Sequence, residues 1–169
     1  MDFRKEVAGH VPHLRRFARA LSGDAALADD LVQDCIERAL RKQHLFDETR
    51  NLKTWLFTIL RNLFVSGLRR KTGEMTVKNV DDLVGGEDAT LPEQEHGLAV
   101  AEIGQALDRL PAAHREVVLL VALEDMSYRE VAEITGVPIG TVMSRLSRAR
   151  ASLRTMLKDD GQAGLRRVK

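Results

Sequence analysis

The chain has 169 residues, 44% of them apolar and 30% charged, with a formal net charge of +1. That is apolar material for one ordinary domain or two small ones, it excludes a largely disordered chain, and the near-neutral total points to no partner by itself. The single cysteine, Cys35, excludes an internal disulfide and a thiolate metal cluster and suits a reducing cytoplasm; no basic–apolar–small leader and no run of about 18 apolar residues predicts export or a membrane span.

Abundant Leu, Ala, Arg and Val, with only 4 prolines and 4% aromatics, favour helices over sheet. Residues 2–22 carry a helical stripe whose second part is Leu14, Phe17, Ala18 and Leu21. Pro12 lacks an amide donor and predicts a kink or a break into two pieces. Ser22-Gly23 ends this segment and Asp24 is placed to cap the next. Over residues 25–42, Leu27, Ala28, Leu31, Val32, Cys35, Ile36, Ala39 and Leu40 share one face, and Asp29, Asp30, Gln33, Asp34, Glu37 and Arg41 the other. Cys35 lies in the apolar stripe, which predicts a packed thiol rather than a reactive one.

Residues 43–51 form a loop with Asn51 as a cap. Residues 52–70 then combine an apolar face (Trp55, Leu56, Ile59, Leu60, Leu63, Phe64) with a polar, basic tail of Arg61, Asn62, Ser66, Arg69, Arg70 and Lys71. Trp55, at helical spacing, is expected in the core. From residue 72 to 96 no periodicity survives, and Gly, Asp, Glu and Thr dominate. A linker of that length argues for two domains rather than one.

A helix pair resumes over 98–124. Val100, Ile103, Ala106, Leu107 and Leu110 make one stripe, Pro111 resets the chain, and Val117–Leu123 forms a strongly apolar second helix. Ser127 and Glu130 have the spacing of a capping box, Gly136 suits the left-handed backbone of a tight turn, and Pro138 suits the start of the next helix. Ile139, Val142, Leu146, Ala149 and Leu153 then define a buried face, while Thr141, Ser144, Arg145, Arg148 and Arg154 occupy the opposite one; no acid occurs from Pro138 to Leu157. This is the pattern of a helix-turn-helix that offers its second helix to a DNA major groove. The tail beyond Asp159, with Gly161 and Gly164, is expected to fray.

Charge is unevenly distributed. Residues 1–75 hold 14 basic and 10 acidic side chains, residues 76–100 one lysine and six acids, and residues 101–169 11 basic and 9 acidic. Basic blocks can face phosphate, and the acidic connector would avoid it. No Gly-rich phosphate loop, no Cys/His metal spacing and no serine-elbow motif is present, so no catalytic residue, metal site or cofactor is assigned and the chain is not expected to be an enzyme. His10 and His13 are three residues apart, but Pro12 intervenes and no carboxylate partner is evident in the sequence.

The stretches ADDLVQDCIERAL (28–40), LKTWLFTILRNLFVSGLRRK (52–71) and LPAAHREVVLLVALEDMSYREVAEITGVPIGTVMSRLSRARASLR (110–154) resemble the two regions of bacterial extracytoplasmic-function sigma factors, in order and spacing. The resemblance implies an all-α protein of two small helical domains. Region 2 would span residues 1–72, a flexible acidic linker 73–97, a region 4 helix-turn-helix domain 98–158, and a tail 159–169. It implies a removable subunit of core RNA polymerase that selects promoter DNA in the cytoplasm, with no membrane partner. Asp30, Gln33 and Asp34 match positions that grip the polymerase large subunit. Asn62 matches a position near the pocket for a base flipped from the −10 element, with Arg61, Ser66, Arg69 and Arg70 on the same helix tail. Ser144, Arg145 and Arg148, with Thr141 beside them, match the −35 reader. Ser66 stands where many members carry an acid, and Met143 where many carry a base. NLFVSGLRR and HVPHLRRFARAL look more like the general-stress-response subgroup, whose members are held by a small helical anti-sigma factor. Two alternatives are a sigma-like decoy that binds an anti-sigma protein without touching DNA, and a simple helix-turn-helix regulator. The first usually carries a receiver domain, and the second leaves the acidic helix without a role.

Overall fold

The computed structural model describes the backbone of residues 2–72 and 97–166, and side chains over 2–71 and 101–159. The intervening stretch read as a linker lies outside the described residues. Among the described residues the fold is all-helical: α1 (Phe3–Ser22), α2 (Ala25–Arg41), a short 3-10 turn (Gln43–Leu45), α3 (Leu52–Thr72), α4 (Gly97–Asp108), α5 (Ala112–Val118) running into a π-helical turn (Leu119–Leu123), α6 (Tyr128–Thr135) and α7 (Ile139–Arg166).

Helix α1 is continuous through Pro12, contrary to the predicted break. Val7, Leu14 and Phe17 are buried on both sides of the proline, so packing holds the two turns in register. Pro12 and Ala8 sit on the solvent face, where water can meet the carbonyl that loses its donor. Asp2 accepts from the Lys5 amide at the start of α1, and Gly23 closes it at φ +67°. Asp24 caps α2 by accepting from the Leu27 amide at 3.1 Å. Asn51 accepts from the Lys53 and Thr54 amides (2.9 and 3.4 Å), as its position before α3 predicts.

Phe17 and Phe57, with ring centroids 5.2 Å apart, join Leu14, Leu56 and Leu60 at the centre of the α1–α3 bundle. Burying each such side chain contributes about 1.5–3 kcal/mol. Trp55 is half-buried and packs with Phe3 and Phe46 in an aromatic cluster at the bundle edge. Cys35 is fully buried, and its thiol donates to the Leu56 carbonyl at 3.4 Å.

The second half does not stand apart from the first. Val117, Leu119, Leu120, Met126, Val131, Ile134 and Val142 belong to the same buried cluster as α1–α3. A smaller cluster of Leu110, Val118, Leu146 and Ala149 holds α5 to α7. Three details differ from the periodicity reading. The apolar segment after α5 widens into a π turn, with the Glu124 amide reaching back five residues to the Leu119 carbonyl at 3.2 Å. Ile103 and Ile139, expected on buried faces, are 46% and 49% exposed, because the neighbouring helices cover Ala106, Leu110 and Val142 instead. The backbone expected to fray beyond Asp159 stays helical to Arg166.

Candidate nucleic-acid and polymerase interface

Three surfaces carry the residues singled out in the sequence. The first is the outer face of α2. Asp30, Gln33 and Asp34 are all exposed on consecutive turns, as their three- and four-residue spacing requires. Gln33 donates to Glu37 at 3.2 Å. Asp29, on the flank, is drawn to Arg15 (3.2 Å) and Arg19 (3.6 Å) of α1, while Asp30, Asp34 and Glu37 are exposed on this face.

The second surface is the C-terminal half of α3. Asn62, Ser66, Arg69 and Arg70 are exposed, and Arg70 Nε donates to the Ser66 carbonyl at 3.5 Å. Arg61 behaves differently from the rest of this group. Its side chain is only 15% exposed, and its Nε donates to Glu116 Oε1 of α5 at 2.6 Å.

The third surface is the helix-turn-helix. Ser127 and Glu130 form a complete capping box: the Ser127 hydroxyl accepts from the Glu130 amide, and Glu130 accepts from the Ser127 amide at 2.9 Å. Burial alone would raise the Glu130 carboxyl. Hydrogen bonds from the Ser127 amide and hydroxyl and from Thr54, with the charge of Lys53, outweigh it and hold the group below its ordinary value. Gly136 turns the chain at φ +72°. Pro138 stands just before α7, and its carbonyl accepts from Thr141 and Val142. On α7, Ser144 and Arg148 are exposed and Thr141 and Arg145 half-buried. At 100° per residue these four fall within one third of the helix circumference. Met143, 51% exposed, does not join them. It lines a groove with Tyr128, Leu146, Ser147, Arg150 and Arg154 on the other flank.

Between the halves lies a set of ion pairs that the sequence reading did not find. The Glu124 side chain is wholly buried. Its carboxylate lies 3.0 Å from His13 Nδ1, accepts from Arg16 at 3.0 Å, and lies 3.5 Å from Lys53 Nζ, which also donates to the Glu124 carbonyl at 2.6 Å. His13 therefore faces a carboxylate, not a metal partner. Glu130 accepts from Asn51 (3.0 Å) and Thr54 (3.3 Å), and Glu133 pairs with Arg50. One signal was present: Glu116 and Glu124 bracket the apolar run VVLLVAL, and an acid beside a fully buried segment must find a cation or hydrogen-bond donor.

The two halves match separate families. Residues 7–61 match the one described as the Sigma2 domain of PhyR, and residues 101–153 match Sigma-70, region 4. The ECF RNA polymerase sigma factor EcfG of Rhodopseudomonas palustris is 44% identical over 163 residues, which is 95% of this chain and 87% of that protein. This chain belongs to the ECF sigma factor family. The ECF RNA polymerase sigma factor RpoE of Cereibacter sphaeroides is 34% identical over 85% of the chain and 79% of its own length. Among solved structures, the sigma factor RpoE in complex with the anti-sigma factor NepR from Bartonella quintana superposes with a TM-score of 0.79 at 41% identity, covering 93% of this chain and 97% of that one. The exposed face of α2 is acidic, whereas the α3 tail and α7 present exposed arginines. No described helix is long and apolar enough to cross a membrane.

Proposed function

We propose that this sigma factor joins core RNA polymerase through Asp30, Gln33 and Asp34 and directs it to a two-part promoter, as a cytoplasmic, non-enzymatic subunit. Region 2 (1–72) takes the −10 element, region 4 (98–158) takes the −35 element, and residues 73–97 join them. The observation that carries this reading is the segregation of an exposed acidic face on α2 from the exposed basic α3 tail and the Ser144/Arg148 face of α7, in a chain related along nearly its whole length to ECF sigma factors.

At the −10 element, Asn62 meets an unstacked base, and Arg61, Ser66, Arg69 and Arg70 meet the backbone phosphates. Unstacking a base costs a few kcal/mol, so these contacts must offset it. At the −35 element, Thr141, Ser144, Arg145 and Arg148 face the major groove, where one well-seated Arg–guanine pair gives about 1–3 kcal/mol of discrimination. The likeness to EcfG and to the NepR-bound RpoE supports control by an anti-sigma factor in a general stress response.

The test is run-off transcription by core polymerase supplemented with the purified protein. Promoter-specific transcripts are expected. Asp34→Arg should abolish core binding, and Arg148→Ala should weaken use of the upstream element with core binding intact. Absence of core binding by the wild-type protein, with capture of an anti-sigma protein retained, would instead identify a decoy.

A further inference from the structure

On α7 a large apolar side chain stands outside the core and outside the promoter-reading group. Met143 is 51% exposed, and Ile139, one turn before it, is 49% exposed, so the first turns of the helix hold out an apolar pair. The core side of α7 is Val142, Leu146 and Ala149, which places Ser144 close to the line pointing straight away from the domain. Met143 and Arg145, the neighbours of Ser144, lie about 100° to either side of that line. Arg145 is half-buried whereas Met143 is exposed, so the Met143 flank is the more open of the two. Ser147, Arg150 and Arg154 continue that flank at helical spacing, and all are exposed. The row therefore runs from apolar at the helix start to basic further along, and no acid occurs from Pro138 to Leu157. Gly140, Ser144 and Ser147, which face outward between the flanks, are small and exposed, so little keeps the helix from a close approach.

We infer that Met143 is a specificity-determining residue of region 4: its side chain reads the C5-methyl group of a thymine in the upstream promoter element, from the flank of α7 opposite Arg145. This rests on the promoter-binding reading given above and adds a base preference to it. A thioether has no donor and only a weak acceptor, so it cannot tell bases apart by hydrogen bonding. The thymine methyl is the apolar group that a base pair shows in the major groove, and a flexible, polarisable side chain fits against it readily. The groove is about 8.5 Å deep, and Arg150 lies about 10 Å along the helix axis beyond Met143. With the helix start seated on the bases, Arg150 and Arg154 come to the level of the phosphates. The arginines around the apolar pair, with no acid among them, suit a polyanion better than an apolar protein groove.

The experiment uses the full chain with core polymerase and a template library randomised across the upstream element. The parent is expected to enrich thymine at one position, and Met143→Ala to lose that preference while keeping the preferences at other positions. On the template selected by the parent, replacing that thymine with deoxyuridine removes only the methyl group. Initiation by the parent should then fall about fourfold, the worth of one buried methyl, and initiation by Met143→Ala should not change. Met143→Lys should also lose the methyl preference, and by gaining a phosphate contact it should steepen the salt dependence by about one. Selection of no thymine by the parent, or an equal deoxyuridine effect in parent and Met143→Ala, would overturn the inference. So would loss of core binding in Met143→Ala, which would turn this side chain toward polymerase instead. If the parent gives no promoter-specific transcript from any template, the sigma-factor reading itself fails, which is distinct from a promoter read without the methyl.

Discussion

Glu124→Gln isolates the electrostatic part of the contact between the halves. Glutamine keeps the shape of the side chain but removes the charge that faces His13, Arg16 and Lys53. Hydrogen bonds to charged groups contribute about 1.5–3 kcal/mol each when enclosed. Here the carboxylate is enclosed but its partners are not: His13 and Arg16 are 43% and 49% exposed and recover water when released. The Lys53 bond to the Glu124 carbonyl survives the change. A net loss of about 2 kcal/mol is therefore expected, roughly a thirtyfold fall in the closed-to-open ratio. Opening can be followed by energy transfer between dyes on cysteines placed at Leu45 and Arg150, both exposed positions in opposite halves. In a urea titration, the midpoint for loss of transfer should move down by the equivalent of about 2 kcal/mol in the glutamine variant. Coincident midpoints for the variant and the parent would refute the argument that this carboxylate holds the halves together.

Gly136→Ala should destabilise the C-terminal half by about 1 kcal/mol in a denaturant titration. An added Cβ would meet nothing within 4 Å, so the cost is that of the left-handed backbone alone, and Gly136→Asn should cost less. The Glu130 carboxyl is held below its ordinary value of 4.5, so its contribution is complete above that pH and declines as pH falls through the lowered value. The stability advantage of the parent over Glu130→Gln should accordingly shrink below about pH 4.5 and vanish in stronger acid, as read by circular dichroism melts; a constant gap across that range would contradict it. Cys35 should resist maleimide or disulfide reagents at pH 8 in the native protein and react at once when denaturant is added.

Local chemistry was legible where it is self-contained. The capping box at Ser127, the left-handed Gly136, the Asp24 and Asn51 caps and the buried face of α2 all depend on residues a few positions apart. The exposed acidic face of α2 followed from the same periodicity. Pro12 misled because its helix-breaking tendency is local, while the burial of Val7, Leu14 and Phe17 that overrides it comes from other helices. Ile103 and Ile139 misled for the opposite reason: their spacing is correct, but each stays about half exposed. The joint core and the pairing of Arg61 with Glu116 lay beyond the sequence, since they join residues 55 positions apart across the linker. Periodicity tells which face of a helix is apolar and not which other face it meets.

The π turn at Leu119–Leu123 has a geometric consequence for that meeting. Glu116 and Glu124 are eight residues apart, which on an unbroken α-helix would set them about 80° apart around the axis. The five-residue bond from the Glu124 amide to the Leu119 carbonyl absorbs one extra residue, so the later positions trail by about 100° and the two acids come to within about 20° of each other. A single helical turn, wound one residue wide, thus acts as the phase adjuster that lets one side of α5 present both carboxylates to α1 and α3. The coupling between the halves is stored in the hydrogen-bond register of an apolar segment as much as in the charges it displays.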